Sequence, residues 1–365
     1  AVAVASSLLS DGLRPAFVAE ARAAQERLRK EHESRDAVAL RPLAEARRQA
    51  VRLEWPAPPP RPSFLGLREL TAYPLEKLVP RIDWTPFFQA WELKGFYPAI
   101  LDDPATGAAA RELMADAERL LKDIVANRRL DARAVVGFFP ASRQGDDDIA
   151  LYTDDSRAEV RAVIHTLRQQ VAKAEGRANR ALADYVAPAD VAPDYLGLFA
   201  VTTGHGLDKI VAAREAAHDD YGAIMAKVLA DRLAEAFAER LHELVRTELW
   251  GYAAGEALDN AALIREQYQG IRPAPGYPAC PEHTEKRTIL ALLEADRRAG
   301  ITLTESCAML PTASVSGMSF WHPGAAYFGM GRIGRDQVED YARRKGWSVA
   351  EAEEWLAPNL GYERG

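Results

Sequence analysis

Apolar positions recur at helical spacing over 105–126, 156–174, 207–217, 220–250, 258–267, 285–299, 335–346 and 348–357, so each stretch is expected to be a helix. Short runs rich in Val, Ile, Phe and Tyr read as strands at 134–139, 148–152, 195–201, 301–305, 315–320 and 326–333. Helices and strands do not alternate in a regular order, which fits a doubly wound parallel sheet poorly. The pattern predicts an α+β fold: one large domain with a mainly antiparallel, twisted sheet and surrounding helices, and no internal repeat.

The front of the chain has a different texture. Residues 1–10 are almost wholly apolar and read as the end of a helix whose partners lie outside this sequence. Residues 13–31 set Phe17, Val18, Ala21 and Leu28 among alternating charges, a weakly amphipathic helix. An Arg-rich polar stretch follows to Gln49, and then the run from Trp55 to Pro62 carries five prolines. Such a run is a semi-rigid spacer. It divides the chain at residue 62 into a helical and linker segment, 1–62, and the main domain, 63–365. The first ten residues lack both a basic flank and an initiator Met, so no signal peptide is expected. The chain is expected to begin inside a longer protein.

Composition narrows the classes. With 48% hydrophobic and 27% charged residues, the chain has ample material for a packed core and is not of the disordered type. No apolar run approaches the ~18 residues that span a bilayer, so no membrane partner is expected. A net charge of −7 argues against nucleic acid, which needs a concentrated basic face. Two cysteines, Cys280 and Cys307, are too few for a disulfide framework and fit a reducing cytoplasm. Cys280-Pro-Glu-His283 invites a zinc reading, but zinc needs three or four ligands and nothing nearby supplies the rest; no metal is expected. Gly329-Met-Gly-Arg-Ile-Gly334 matches the dinucleotide fingerprint. A second parallel strand with an acid near its end would have to follow, and the pattern gives another helix, so the match is one of chance.

Three features carry candidate chemistry. The stretch Arg272-Pro-Ala-Pro-Gly-Tyr-Pro-Ala-Cys-Pro-Glu-His-Thr-Glu-Lys286 holds four prolines and cannot continue a helix or central strand. It is either a plain connector or a stiff loop that presents Arg272 and Tyr277 to a ligand at small ordering cost. Arg272, a planar fork, suits bidentate capture of a carboxylate. Asp83 sits among Ile82, Trp84, Phe87 and Phe88 and reads either as a helix cap or as a ligand-facing acid. In the 220–250 helix, Leu229, Leu233, Phe237 and Leu241 form an apolar stripe, and Asp231, Glu235 and Glu239 an acidic one roughly 200° away. The bland reading of that acidic stripe is a solvated surface.

Gly270 through Lys286, taken with Ile82-Asp-Trp-Thr-Pro-Phe87, Val136-Gly-Phe-Phe-Pro-Ala141, His218-Asp-Asp-Tyr221, Asp231-Arg-Leu-Ala-Glu-Ala-Phe237, Ser314-Val-Ser-Gly317, Arg335 to Lys345 and Trp355 to Tyr362, resembles the C-terminal activation domain of cobalamin-dependent methionine synthase. These words stand in the family's order over about 63–365, and together they are very specific. The resemblance implies that 1–62 is the last helix of a cobalamin-binding module plus the interdomain linker. It implies that Asp83 meets the amino group of S-adenosylmethionine, that Arg272 also holds this cofactor, and that Tyr277 is a further candidate. Tyr327 and Phe328 match a Tyr-Tyr pair lining the adenosine site; Phe328 departs from it, so a hydroxyl contact there is lost. Acids matching Glu235 and Glu266 lie near the corrin in the family. Asp231 is the candidate acceptor for the histidine that leaves cobalt when the domains dock.

The function implied is reactivation, in which an electron from a flavodoxin-type donor and a methyl from S-adenosylmethionine restore methylcobalamin from oxidised cob(II)alamin. No protein nucleophile is needed, because reduced cobalt attacks the methyl. The chain lacks the Asp-x-His-x-x-Gly cobalamin motif and a zinc-thiolate site for homocysteine. Cobalamin would therefore be bound mainly by a module absent here, zinc would belong to the full-length enzyme only, and this fragment could not make methionine alone. A monomer is expected. The alternatives are a non-catalytic S-adenosylmethionine-sensing module, separated by adding a cobalamin domain in trans, and a docking domain that binds no cofactor.

Overall fold

The structure, a computed structural model, describes residues 2–36, 39–55 and 58–364. Pro56 and Ala57 of the proline spacer and Ala37 and Val38 of the polar stretch before it fall outside the described residues. The chain gathers into two compact units: Ala50–Arg168 with Arg180–Met330, and Ala1–Gln49 with Gln169–Asn179 and Gly331–Gly365.

The larger unit is built on a six-stranded sheet: β1 (Gly66–Leu70), β2 (Asp131–Gln144), β3 (Asp148–Tyr152), β4 (Val160–His165), β5 (Asp194–His205) and β6 (Ser314–Ser319). Every pairing is antiparallel, in the order β4-β3-β2-β5-β6. The long β2 carries β1 and β3 end to end on one side, β1 opposite 134–138 and β3 opposite 141–144. Alternate residues of β2 feed two cores. Ala134, Val136 and Phe138 pack with Leu229, Leu233, Phe237 and Leu241 of the helix Asp220–Leu244, while Val135, Phe139 and Ala141 pack with Ile289, Leu290 and Leu293 of the helix Glu285–Leu293. Helices cover both faces, which is why β2 reads as an almost unbroken apolar run rather than an alternating one.

The antiparallel α+β expectation holds, and several local expectations do not. The stretch 156–174 contains β4 and irregular chain, not a helix. Its Val160 to Ile164 segment pairs with β3, and Arg168 is drawn wholly inside by Asp147 and Asp184, 2.7 Å from each. The expected strand at 301–305 shrinks to Thr302–Leu303, paired with Met309–Leu310 in a separate ladder. No strand forms over 326–333, because other backbone already occupies the free edge of β6, as described below. The helix expected over 285–299 breaks at Glu294, which is left-handed with φ 51°. That expected over 258–267 is the single turn Asn260–Ile264, capped by Asp259. The long helix changes to a π-turn at Val245–Leu249. β1 went unread.

In the smaller unit the short helix Leu43–Arg48 meets Arg335–Lys345: the Leu43 amide donates to Asp336 Oδ2 at 2.6 Å, and Arg47 pairs with Asp340 at 2.7 Å. The helices Val2–Leu9 and Arg14–Asp36 stand where the front of the sequence predicted them. Among the described residues no helix is long and apolar enough to cross a membrane.

Candidate functional site

The proline-rich loop is anchored at its head by a glycine with no substitute. Gly270 has φ 81°, and a Cβ there would lie 2.2 Å from the Phe320 carbonyl oxygen. That close approach lets Ile271 exchange both backbone hydrogen bonds with Phe320, at 3.0 and 2.9 Å, and lets the Met318 amide donate to the Pro273 carbonyl at 2.9 Å. The loop thus lies along the open edge of β6 as a partial strand. Ile271 points into the core below the sheet, and the period of two sends Arg272 the other way.

Beyond Pro273 the chain folds into a tight knot. The Gly276 amide donates to the Cys280 carbonyl at 2.7 Å and the Cys280 amide to the Tyr277 carbonyl at 2.9 Å. Gly276, with φ 96°, rests on the His283 imidazole, where a Cβ would come within 2.4 Å. His283 Nδ1 accepts from Lys286 Nζ at 2.9 Å, and Lys286 also donates to the Cys307 carbonyl at 3.2 Å. Burial and the adjacent ammonium hold the His283 pKa below its usual value, in keeping with an acceptor nitrogen. Tyr277, at the tip, is 48% exposed. Its hydroxyl donates to Glu235 Oε1 at 2.6 Å, and burial followed by that carboxylate pushes its pKa up.

Between this loop and the helix Asp220–Leu244 opens a cleft of about 650 Å³. Arg272, Pro273 and Tyr277 line one wall, Glu235 and Glu239 the other, with Tyr327 and Phe328, Tyr268 and Glu266, and Arg81 and Asp83 around the remainder. Arg272 Nη2 donates to Glu239 Oε2 at 2.9 Å. Arg272 Nε and Glu239 Oε1 are buried with no hydrogen-bond partner among the described residues. The cleft offers cation, acid and aromatic surface within a few ångströms, the set that an amino-acid ligand with a ring substituent requires. Residues 74–346 match the family described as vitamin B12 dependent methionine synthase, activation domain. The chain belongs to this family. A crystal structure described as the MetH reactivation domain bound to AdoHcy is 55% identical in sequence, over 89% of this chain and 99% of that one, with a TM-score of 0.84.

In this activation domain the residues singled out from the sequence fall as follows. Asp83, Arg272, Tyr277, Tyr327, Phe328, Glu235 and Glu266 all line the one cleft. Asp83 Oδ1 accepts the Thr85 amide at 2.9 Å, two residues on; the N-cap of the helix Thr85–Ala90 is Trp84, so Asp83 is not the cap but steadies the turn into the helix while it lines the cleft. The Tyr327 hydroxyl accepts the Arg272 amide at 2.9 Å and meets the Tyr268 hydroxyl at 3.2 Å, so its polar end supports the loop while its ring faces the cleft. Asp231 stands apart, exposed on the long helix one turn before Glu235. Glu239, one turn further on, is only 8% exposed: the acidic stripe is solvated at one end and buried at the other. Burial raises the Glu266 pKa, against the pull of Arg272.

Sequence reasoning passed over Tyr268 and Arg81 and gave Glu239 no site role. Tyr268 stands two residues before Gly270, a position that could have drawn attention. Arg81 is held by Glu243 at 3.0 Å through both Nε and Nη2 and carried no signal. Among the described residues no group of three His, Cys, Asp or Glu side chains is placed to hold a metal ion.

Proposed function

We propose that this activation domain binds S-adenosylmethionine in the cleft under the proline-rich loop and presents its methyl group for the reductive methylation of cobalamin carried by a neighbouring module. One observation carries the reading: a single cleft brings together a half-buried guanidinium, a carboxylate and an aromatic wall, in a chain 55% identical to a domain described as bound to AdoHcy. The residues fit the ligand. Among the described residues Arg272 Nε has no partner and the fork meets one side chain, Glu239, leaving donors for a carboxylate. Asp83 keeps an oxygen beyond its bond to Thr85 for an ammonium group. Tyr327 and Phe328 supply ring surface for adenine, and Phe328, lacking a hydroxyl, limits its contact to the ring.

S-adenosylmethionine supplies an electrophilic sulfonium methyl when bound, and the neighbouring module's cobalamin supplies the reduced cobalt that receives it. The work left to this chain is positional. Arg272 and Asp83 fix the amino-acid end, the aromatic wall fixes the adenosine, and the Tyr277–Glu235 pair stands at the exposed rim. Glu266 and Asp231 are proposed to engage cobalamin and its module, with Asp231 as acceptor for the displaced cobalt-ligating histidine.

On this reading the chain is one module of methionine synthase, a cytoplasmic methyltransferase, and does not make methionine by itself. Its electron donor would be of the flavodoxin type. Residues 1–62 would be the tail of the cobalamin module and the linker, with 40–49 folded into the unit of the C-terminal helices, and 63–365 the activation domain. Calorimetric titration of the chain with S-adenosylmethionine tests the cofactor reading, with saturable one-to-one binding expected. Adding a cobalamin module and a reductant tests the rest: methylcobalamin forms only if the domain does more than sense the ligand.

A further inference from the structure

Behind the cleft runs a row of four alternating charges. Glu256 grips Arg246 through Nε and Nη2 at 2.7–3.0 Å. Arg246 has no exposed side-chain surface, and its Nη1 lies 3.7 Å from Glu239 Oε1. Glu239 Oε2 then takes Arg272 Nη2 at 2.9 Å. Glu239, His242 and Arg246 share one face of the long helix at i, i+3 and i+7, and Arg246 lies in the π-turn that ends it, a distortion frequent at functional sites. His242 is 2% exposed, and both its ring nitrogens lack hydrogen-bond partners among the described residues. Desolvation first, then the guanidiniums of Arg246 and Arg272, hold its pKa far below the usual value, so it is a neutral spacer between two cations. Its ring meets Tyr268 edge-on, centroids 4.9 Å apart. Arg246 covers the Tyr268 face at 4.3 Å, and Tyr268 reaches the Arg272 amide through Tyr327. Arg272 is therefore held at two points, its backbone by the tyrosines and its head by Glu239.

We propose that Glu239 is a positioning residue for the methyl-donor site: it sets the orientation of the Arg272 fork so that the guanidinium receives the ligand's carboxylate already aligned. This rests on the assignment of Arg272 to that carboxylate. Net stability is a poor reason for such a row, because desolvation offsets most of the attraction within a buried ion pair. Orientation is a better one. A long side chain left free in a cleft must surrender rotamer entropy on binding, and a fork fixed beforehand does not. Glu239 occupies one nitrogen of a group with five N–H donors, so it aims Arg272 without saturating it.

The test is a double-mutant cycle by calorimetry on the full chain, with S-adenosylmethionine and its decarboxylated analogue. Glu239→Asp keeps the charge and withdraws the carboxylate by one methylene. It should weaken S-adenosylmethionine about tenfold, the scale of one charged hydrogen bond, and change the decarboxylated analogue less than twofold. In an Arg272→Ala background the same substitution should have no further effect on S-adenosylmethionine. Equal losses for both ligands, or an undiminished loss without Arg272, would mean a merely structural role and overturn the proposal; parent-like binding by Glu239→Asp would do the same. Should that variant not fold, the isosteric Glu239→Gln replaces it, read by the same ratio of the two ligands. Parent-like binding by Arg272→Ala alone would instead remove the assignment on which the proposal stands.

Discussion

Arg272 and Asp83 bring opposite charges to the cleft, and their substitutions should separate binding from folding differently. Each of Arg272→Ala and Asp83→Asn should weaken S-adenosylmethionine by roughly 1.5–3 kcal/mol, the range for a charged hydrogen bond, in a calorimetric titration. Asp83→Asn keeps an oxygen for the Thr85 amide, so its melting temperature should barely move. Arg272→Ala strips Glu239 of its nearest cation and should lower it. His242 gives a second residue-level expectation. Its proton affinity is depressed in the fold, so above the ordinary histidine pKa near 6.5 the group is neutral in both states and adds nothing, and as pH falls below that value the unfolded chain takes up a proton that the fold does not, which lowers stability. Between pH 7.5 and 5.5 the parent should lose more stability than His242→Phe in urea unfolding; matching slopes would show that His242 is protonated inside. That Arg272, Asp83, Tyr277 and Tyr327 share one cleft was legible because they sit in distinctive words. Tyr268 and the inner role of Glu239 were not, because their importance comes from whom they touch across more than twenty residues of chain.

Among the elements, the edge pairing of the proline-rich loop depends on Gly270. Gly270→Ala meets both a left-handed φ and the Phe320 carbonyl, and should cost about 2–4 kcal/mol by chemical denaturation; a smaller loss would mean that the loop can leave β6 cheaply. The same pairing explains a misreading. Residues 326–333 have strand-like composition, but an edge accepts one neighbour, and Ile271 to Pro273 had taken it. Over 156–174 the apolar spacing suited a helix, yet what decides the matter is pairing with the neighbouring strand β3 in a hairpin, and spacing within the segment does not register that. The long helix was read correctly in kind. Its acids were not resolved in depth, since a period of 3.6 tells direction and not how far the neighbouring loop reaches over it. Asp231→Asn should therefore leave S-adenosylmethionine binding within about twofold and the melting temperature nearly unchanged, as for exposed carboxylates generally. Reductive methylation in a protein carrying both modules should slow for Asp231→Asn and for Glu235→Gln measured separately. Normal rates in both would return these acids to a solvated surface.

For the molecule as a whole, every residue assigned to the cleft lies between Arg81 and Phe328, inside the larger unit. A chain beginning at Ser63 should still bind S-adenosylmethionine with unchanged stoichiometry. It would lose Leu43 and Ala46, both buried, and the ion pair from Arg47 to Asp340, so the C-terminal helices should melt earlier than in the parent. Loss of ligand binding with the sheet intact would mean that the linker contributes to the site. Ile271 against Phe320 has a consequence of another kind. An uncovered terminal strand is a template for aggregation, and here the cover is the loop proposed to hold the ligand. A protease nick within 274–280 would release one flank of that cover and bare the backbone of β6, so cleavage should convert the domain from a dispersed species into one that self-associates through its sheet edge. Ligand occupancy, by holding the loop down, would then act as a guard on solubility.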